Sequence, residues 1–343
     1  MGRAPAQRLI ADVGGTRARF ALSERPGHLG RCIELSSREQ PPAALVRRAL
    51  EALAPAGAVT EARLAVAGPV EGATAQLTNL PWRFDAAEIA AETALERVRL
   101  VNDFAAVAHA LPLLRPDDRR LVAGPTEGRS RATLAVLGPG TGLGLAAAVP
   151  EGADAWTVMA GEGGHVTLPA RDAAEWAILQ ALGERLGHVS AERLCSGPGL
   201  EALYAVLDEP AGASDRAPLA EAPDAEEGDP ELREAATLAA ADIGEAARRG
   251  EPRARACLRH FADFLGTVAS DAVLTLGATG GLFLAGGVLP RLGEAFDWRR
   301  FHRRFLDKGR FGEYLAAVPV QLLTHPQPGL LGLTAERLQG GSD

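Results

Sequence analysis

The stretch Leu134-Ala-Val-Leu-Gly-Pro-Gly-Thr-Gly-Leu-Gly-Leu-Ala-Ala-Ala-Val149 sets two apolar runs around four glycines, a proline and a threonine. Short apolar runs broken by such a cluster read as strand, tight turn, strand. Gly138, Gly140, Gly142 and Gly144 allow positive φ, and they let a ligand reach the peptide groups with no Cβ in the way. A turn of this kind can aim several N–H groups at one anion, with the Thr141 hydroxyl beside them. It can equally be a hairpin that needs glycine for its own geometry. On the turn alone both readings stand.

A second stretch bears on that choice. Leu9-Ile-Ala-Asp-Val-Gly-Gly-Thr-Arg-Ala-Arg-Phe-Ala-Leu22 repeats the design: an apolar run, glycines followed by threonine, and another apolar run. Gly15-Thr16 and Gly140-Thr141 each open a separate series of strands and helices. The repetition predicts a duplicated α/β architecture that closes on a nucleotide.

Composition narrows the chemistry. The 343 residues suffice for two domains, and 47% hydrophobic residues is ordinary for a soluble chain. No apolar run is long enough to span a membrane and MGRAPAQRLIADVGG has no signal-peptide segment, so a cytoplasmic location is expected. A formal charge of −8 argues against nucleic-acid or membrane partners, which draw on basic patches. Lys308 is the only lysine. Unless it serves, Walker-type NTPases, protein kinases and Schiff-base enzymes are excluded, and phosphate must be held by amides, hydroxyls, arginine or a metal ion. Cys32, Cys195 and Cys257 are too scattered for a zinc or disulfide framework, so they are expected in the core, with no structural metal.

Along the chain, strands are expected at 31–35, 63–69 and 75–84, with helices at 41–54 and 86–94, the latter capped by Asp85. Val98-Arg-Leu-Val-Asn-Asp-Phe104 then ends an apolar strand on Asn102-Asp103 just before a helix. Polar groups at the carboxyl end of a strand in an open α/β sheet face the ligand crevice, although Asn or Asp here is also the standard N-cap. Farther on, Glu162 and His165 sit among three glycines, in a setting that suits ligand contacts. Glu192 is expected in the first turn of a short helix that Ser190 could cap, where the dipole alone favours an acid. Asp208 to Pro230, acidic and proline-rich, reads as a mobile connection. Long helices at 232–248 and 252–277, a strand entering Gly286-Gly287, a solvated basic helical face at 299–310, and a closing strand (318–323) and helix (329–338) complete the pattern.

In order along the chain, Asp12-Val-Gly-Gly-Thr-Arg-Ala-Arg19, Asn79 to Trp82, Val101-Asn-Asp-Phe104, Gly140-Thr-Gly-Leu-Gly144 and Gly161-Glu-Gly-Gly-His165 are followed by His188-Val-Ser-Ala-Glu-Arg193, Ser196-Gly-Pro-Gly199, Ala285-Gly-Gly287 and Asp307-Lys-Gly-Arg-Phe311. Together these motifs resemble the bacterial glucokinase family over nearly the whole chain. The resemblance implies a duplicated two-domain clamshell of the hexokinase and actin (ribonuclease H-like) type. A small α/β domain of residues 1–112 plus about 313–343 would face a larger one of 113–312. It implies ATP-dependent phosphorylation of glucose at its C6 hydroxyl, the first step of glycolysis, in a homodimer. Asp103 would be the general base. Asn102, Asp103, Glu162, His165 and Glu192 would bind the sugar. Gly14, Gly15, Thr16, Gly140 and Thr141 would hold the phosphates, Gly286 and Gly287 would pass under the adenosine, and Asp12 would help place Mg²⁺. Arg17 departs from the pattern, since many members carry Asn there.

Other readings remain. The chain could phosphorylate another hexose, or be a nucleotide-dependent sugar sensor or actin-like assembly protein without the base chemistry. Gly142-Leu-Gly-Leu-Ala-Ala147 with Glu162 loosely fits a dinucleotide fingerprint, but the turn opens onto Ala-Ala-Ala-Val-Pro150 rather than a helix.

Overall fold

Both faces of the first strand carry apolar side chains, and that pattern dictates helices on either side of the sheet. In this computed structural model, which describes residues 7–77, 81–152, 155–207 and 238–335, Leu9, Ala11 and Val13 enter one core cluster while Ile10 enters another. Asn79, the acidic stretch 208–230 and residues 232–237 of the expected helix lie outside the described residues.

The elements run β1 (Gln7–Val13), β2 (Arg17–Ser23), β3 (Cys32–Ser36), α1 (Pro42–Leu53), β4 (Val59–Val66), β5 (Val70–Glu71), β6 (Thr74–Gln76), β7 (Arg83–Asp85), α2 (Ala86–Thr93), β8 (Arg97–Asn102) and α3 (Asp103–Ala110). There follow β9 (Arg119–Ala123), β10 (Leu134–Pro139), β11 (Leu143–Glu151), β12 (Ala155–Gly161), α4 (Ala173–Leu186), α5 (Gly197–Val206), α6 (Ala240–Arg248), α7 (Pro252–Leu276), β13 (Gly281–Leu284), α8 (Val288–Leu292), α9 (Trp298–Leu306), α10 (Gly312–Ala316), β14 (Val320–Leu323) and α11 (Pro328–Leu333).

Sheet order makes the duplication explicit. One sheet is ordered β3-β2-β1-β4-β8 and the other β12-β11-β10-β13-β14-β9, so the same arrangement occurs twice with β9 added at one edge. β4 lies parallel to β1 and β8 parallel to β4, just as β13 lies parallel to β10 and β14 to β13. β11 is a strand, which removes the dinucleotide-binding alternative, because that fingerprint needs a helix after its glycines.

The chain divides into two compact units, Met1–Arg119 with Ala146–Ala160 and Thr324–Asp343, and Arg120–Leu145 with Gly161–Leu323. These limits are drawn at other residues than the boundaries expected near 112 and 313. Residues up to 118 stay with the first unit because the Thr324 N–H donates to the Asp118 carbonyl at 2.8 Å. Residues 313–323 go with the second because β14 is a strand of its sheet, paired with β13.

In the first unit α11 lies directly on α3. Gly332 is required there, since a Cβ would run into the Ala106 carbonyl. Buried Arg63 on β4 holds the end of α11 by donating to the carbonyls of Leu333 (3.0 Å) and Ala335. Burial lowers the Arg63 pKa from its ordinary value, and Glu61 at 2.8 Å works against that shift.

In the second unit Glu251 caps α7 by accepting from Arg253 and Ala254, and Gly277 ends it in the left-handed region at φ 62°. Its apolar face, including Phe261, Phe264, Leu265, Val268 and Val273, is buried as the spacing predicts. The basic run on α9 is not simply a solvated face. Arg300 bonds Asp263, Arg304 bonds Thr267 and Glu175, and Lys308 bonds Asp271 at 2.5 Å, so the chain's single lysine is committed to an ion pair beside the α7–α9 seam. Cys195 and Cys257 are buried, whereas Cys32 is exposed on the edge strand β3, against the expectation of a core position. No described helix is long and apolar enough to cross a membrane.

Gly332→Ala is expected to destabilise the fold by about 1–3 kcal/mol through overpacking at the α11–α3 contact. The measurement is the urea midpoint at unchanged slope. An unshifted midpoint would mean that the two helices part without cost.

Candidate active site

In the first unit β1, β4 and β8 are parallel, so their carboxyl ends share one edge of the sheet, where open α/β sheets bind ligands. The register aligns Val13 with Val66 and Val66 with Asn102. The strand ends carrying Asp12 and Asn102 are therefore two strand spacings, ~10 Å, apart. Asn102 does cap α3: its Oδ1 accepts from the Ala105 N–H at 3.0 Å, and its Nδ2 donates to the Gly68 carbonyl at 3.2 Å. Both halves of the amide are thus used inside the protein, and they fix Asp103 as the first residue of the helix. Asp103 is half-buried, with Oδ1 accepting from the Phe104 N–H at 2.8 Å.

Asp12 pairs with Arg19 in the β1/β2 register, and a Cβ on Gly329 of α11 would stand 3.5 Å from its carboxylate. Burial pushes the Asp12 carboxyl above its ordinary range, and the Arg19 charge offsets only part of that. At the adjoining turn the Gly14 N–H donates to the Arg17 carbonyl at 3.0 Å, while the carbonyls of Gly15 and Thr16 accept from Arg38 and Ser37. Carbonyl oxygens that would repel a phosphate are therefore engaged by the protein. Arg17 turns to Glu34 at 3.2 Å.

The opening turn of the second unit holds a surprise in its backbone. None of Gly138, Gly140, Gly142 and Gly144 has a positive φ, so the freedom expected of them is not used. Space is what Gly142 supplies: a Cβ there would strike the Glu192 carboxylate. Two of the turn's amides are also occupied. The Gly140 N–H donates to the Gly142 carbonyl and the Leu143 N–H to Glu192 Oε2, at 2.8 and 2.7 Å.

Glu192 is not in a helix. Residues 191–195 form turns, and the helix begins at Gly197, capped by the Ser196 hydroxyl accepting from the Gly199 N–H. The dipole explanation for an acid at 192 therefore fails, and the carboxylate instead ties loops together. Its Oε2 holds the Leu143 amide while its own N–H donates to the Gly164 carbonyl at 2.8 Å. Gly164 in turn leaves no room for a Cβ against the Leu143 carbonyl. Glu162 and His165 flank this glycine, their side chains 67% and 59% exposed with 3.9 Å between Oε2 and Nε2. An ion pair so exposed contributes at most about 1 kcal/mol, so packing does not explain these two residues.

The Gly140 carbonyl accepts from the Gly197 N–H at 2.8 Å, and Gly286, at φ 81°, fits only as glycine against the Pro139 carbonyl. These contacts frame a cavity of about 360 Å³ lined by Gly140, Thr141, Gly197, Glu201, Gly287 and Arg291, with Ala240 and Ala241 from α6. That volume is in the range of small-molecule sites. Glu201, Ala240, Ala241 and Arg291 were not expected from the sequence. Glu201 and Arg291 stand in ordinary helical patterns, and only the Ser196-Gly-Pro-Gly199 motif beside them signalled backbone exposure.

A strand-end carboxylate in one unit, a glycine-lined cavity in the other and a duplicated sheet beneath both define a phosphotransferase of the hexokinase and actin type. The family model described as Glucokinase matches residues 9–339. A glucokinase of Ralstonia nicotianae is 42% identical over 334 residues, covering 96% of this chain and 94% of that protein. The crystal structure of a glucokinase from an Antarctic psychrotroph gives a TM-score of 0.80 at 33% identity, over 96% of this chain and 98% of that one. A ROK family glucokinase from Streptomyces griseus, in complex with glucose and AMPPNP, shares the fold at a TM-score of 0.61 and 18% identity, over 96% and 98%. The chain belongs to the glucokinase family.

The raised Asp12 pKa has a defined sign in stability. Between the unfolded value of about 4 and the higher folded value, the fold binds the proton more tightly than the unfolded chain, so stability falls as pH rises through that window. Asp12→Asn is expected to raise the thermal midpoint at pH 7 by roughly 2–4 °C, a gain that vanishes below about pH 4. A lower midpoint at pH 7 would show that the ionised carboxylate is favoured in the fold.

Proposed function

We propose that the chain catalyses ATP-dependent phosphorylation of glucose at its C6 hydroxyl. The observation that carries this reading is Asp103, held at the carboxyl end of β8 by the Asn102 cap, in a chain 42% identical to a protein named glucokinase. A carboxylate within hydrogen-bond reach of the hydroxyl orients it and accepts its proton. O6 then bonds to the γ-phosphorus as the bond from phosphorus to the β-phosphate oxygen breaks, and ADP leaves.

Sugar hydroxyls are held by Asn102, Asp103, Glu162, His165 and Glu192. Glu192 commits Oε2 to the Leu143 amide, and its second oxygen is the acceptor offered to the sugar. The donor nucleotide lies in the cavity of the second unit, with Gly140 and Thr141 at the phosphates and Gly286 and Gly287 beneath the adenosine. Gly14, Gly15 and Thr16 supply the phosphate contacts of the first unit. Support for a nucleotide in this fold comes from the relative solved with AMPPNP.

A partly buried carboxyl with only partial compensation from Arg19 fits a group that meets a hydrated cation, since Mg²⁺ keeps several of its waters. Asp12 is accordingly the residue that would hold Mg²⁺ through water. When bound with ATP, the ion supplies charge neutralisation at the phosphate oxygens. The reading carries with it the cytoplasm, the first step of glycolysis and a homodimer, all of which rest on the family resemblance.

The test is coupled detection of ADP release with ATP and glucose, mannose, fructose or N-acetylated hexoses. Glucose is expected to be the best acceptor. Asp103→Asn is expected to lower turnover by about 10²–10⁴, with glucose affinity kept within about tenfold. No release with any sugar would favour a sensor, and near-normal turnover in the variant would remove Asp103 from the reaction.

A further inference from the structure

The cavity of the second unit has a polar group that neither the glycine turns nor the sugar site uses. Gly197 lies against the Gly140 carbonyl at the start of α5, and Glu201 follows four residues later. One helical turn, ~5–6 Å, therefore separates the carboxylate from the glycine turn along the cavity wall. Besides the glycines, the lining includes Ala240, Ala241, Leu292 and Arg291. Small and apolar side chains beside one carboxylate suit a flat heterocycle with a hydrogen-bond donor on its edge.

The carboxylate is oriented. The N-cap position of α6, Ala239, contributes no side-chain bond, and Glu201 from α5 does so in its place, Oε1 accepting from the Ala240 N–H at 2.9 Å. An ionised carboxylate only accepts hydrogen bonds. Adenine presents an amino group at C6, which donates, whereas hypoxanthine and guanine present a carbonyl oxygen, which accepts. A fixed acceptor therefore binds the first and leaves two acceptors facing each other with the second. Arg291, on the short helix α8, pulls the other way, because a guanidinium donates well to the O6 and N7 edge of an oxopurine. Arg291 is exposed, whereas Glu201 is anchored to α6. The anchored group decides the preference.

We propose that Glu201 selects the adenine base of the phosphoryl donor, accepting from its C6 amino group and rejecting 6-oxopurines. This rests on the reading of the cavity as the nucleotide site. The experiment compares ATP with ITP, which exchanges the amino group for oxygen, in the full chain and in Glu201→Gln. The glutamine keeps an acceptor for the Ala240 amide and adds a donor for O6. Two readouts are taken: kcat/KM with saturating glucose, and nucleotide dissociation constants by titration without turnover.

The wild type is expected to prefer ATP over ITP by about tenfold or more, as buried polar mismatches do. Glu201→Gln should bring the two nucleotides within about threefold, mainly through KM. Glu201→Ala should collapse the same ratio and lower the thermal midpoint, because the α6 amide loses its partner. An unchanged ATP-to-ITP ratio in Glu201→Gln would overturn the proposal, as would equal loss for both nucleotides or a wild type that accepts ITP as well as ATP. Absence of turnover, with the binding preference intact and lost on substitution, would sink the kinase reading and keep this one.

Discussion

The bond from the Leu143 amide to Glu192 Oε2, 2.7 Å long, joins the parts of the second unit that have to work together. It crosses from the turn after β10 to the loop before α5, and the backbone of Glu192 reaches on to Gly164 between Glu162 and His165. Three loops are thereby joined through the side chain and backbone of one residue. The two glycines around it are explained by crowding: Gly142 gives way to the carboxylate and Gly164 to the Leu143 carbonyl. A hydrogen bond to a charged group is worth about 1.5–3 kcal/mol, enough to hold short loops in one arrangement. In the proposed reaction this couples the loop that meets phosphate to the loop that meets sugar, without either needing contacts of its own to the other.

The first unit reaches its geometry by a different route. Parallel pairing of β1, β4 and β8 aligns their carboxyl ends, and the capping bonds of Asn102 set the direction in which the chain leaves the sheet. The cap and the catalytic reading are therefore not rivals. A residue that satisfies a helix terminus also fixes the orientation of its neighbour, so Asn102 serves Asp103 by being an ordinary N-cap. α11, drawn onto α3 by Gly332 and held by Arg63, closes over Asp12 and leaves its charge poorly solvated.

Patterns of two and 3.6 residues made most of this legible. The strands at 9–13, 98–102 and 134–139, the cap at Asp85, and the apolar face of α7 all follow from local chemistry that needs no distant partner. What escaped depends on contacts between remote segments. The glycines of the opening turn read as conformational devices, because sequence shows the absence of a side chain but not what occupies the space. Glu192 read as a dipole partner because its true acceptor role links positions 49 residues apart. The basic run at 299–310 read as a solvated face, yet Arg300, Arg304 and Lys308 meet partners on α7 that lie 37 residues earlier in each case. Glu201 carried no signal at all, since a lone carboxylate on an apolar helix has the same letters whether it faces water or a ligand.

The duplicated hairpins also show why repetition of a backbone does not repeat its chemistry. Val13 and Pro139 end the first strand of each hairpin and a three-residue turn follows in both, which sets Asp12 against Gly138. Gly138 has no side chain, while Asp12 is a carboxyl whose ionisation burial opposes. In the proposed reaction, two carboxylates facing one triphosphate would repel it twice, and a single ion bound through water would need only one of them. A carboxyl in one copy and a bare glycine in the other gives the pair of turns an asymmetry on a symmetric scaffold. In that reading the hairpin would supply amides in both halves, and the side chain two positions before the turn would decide which half can meet a cation.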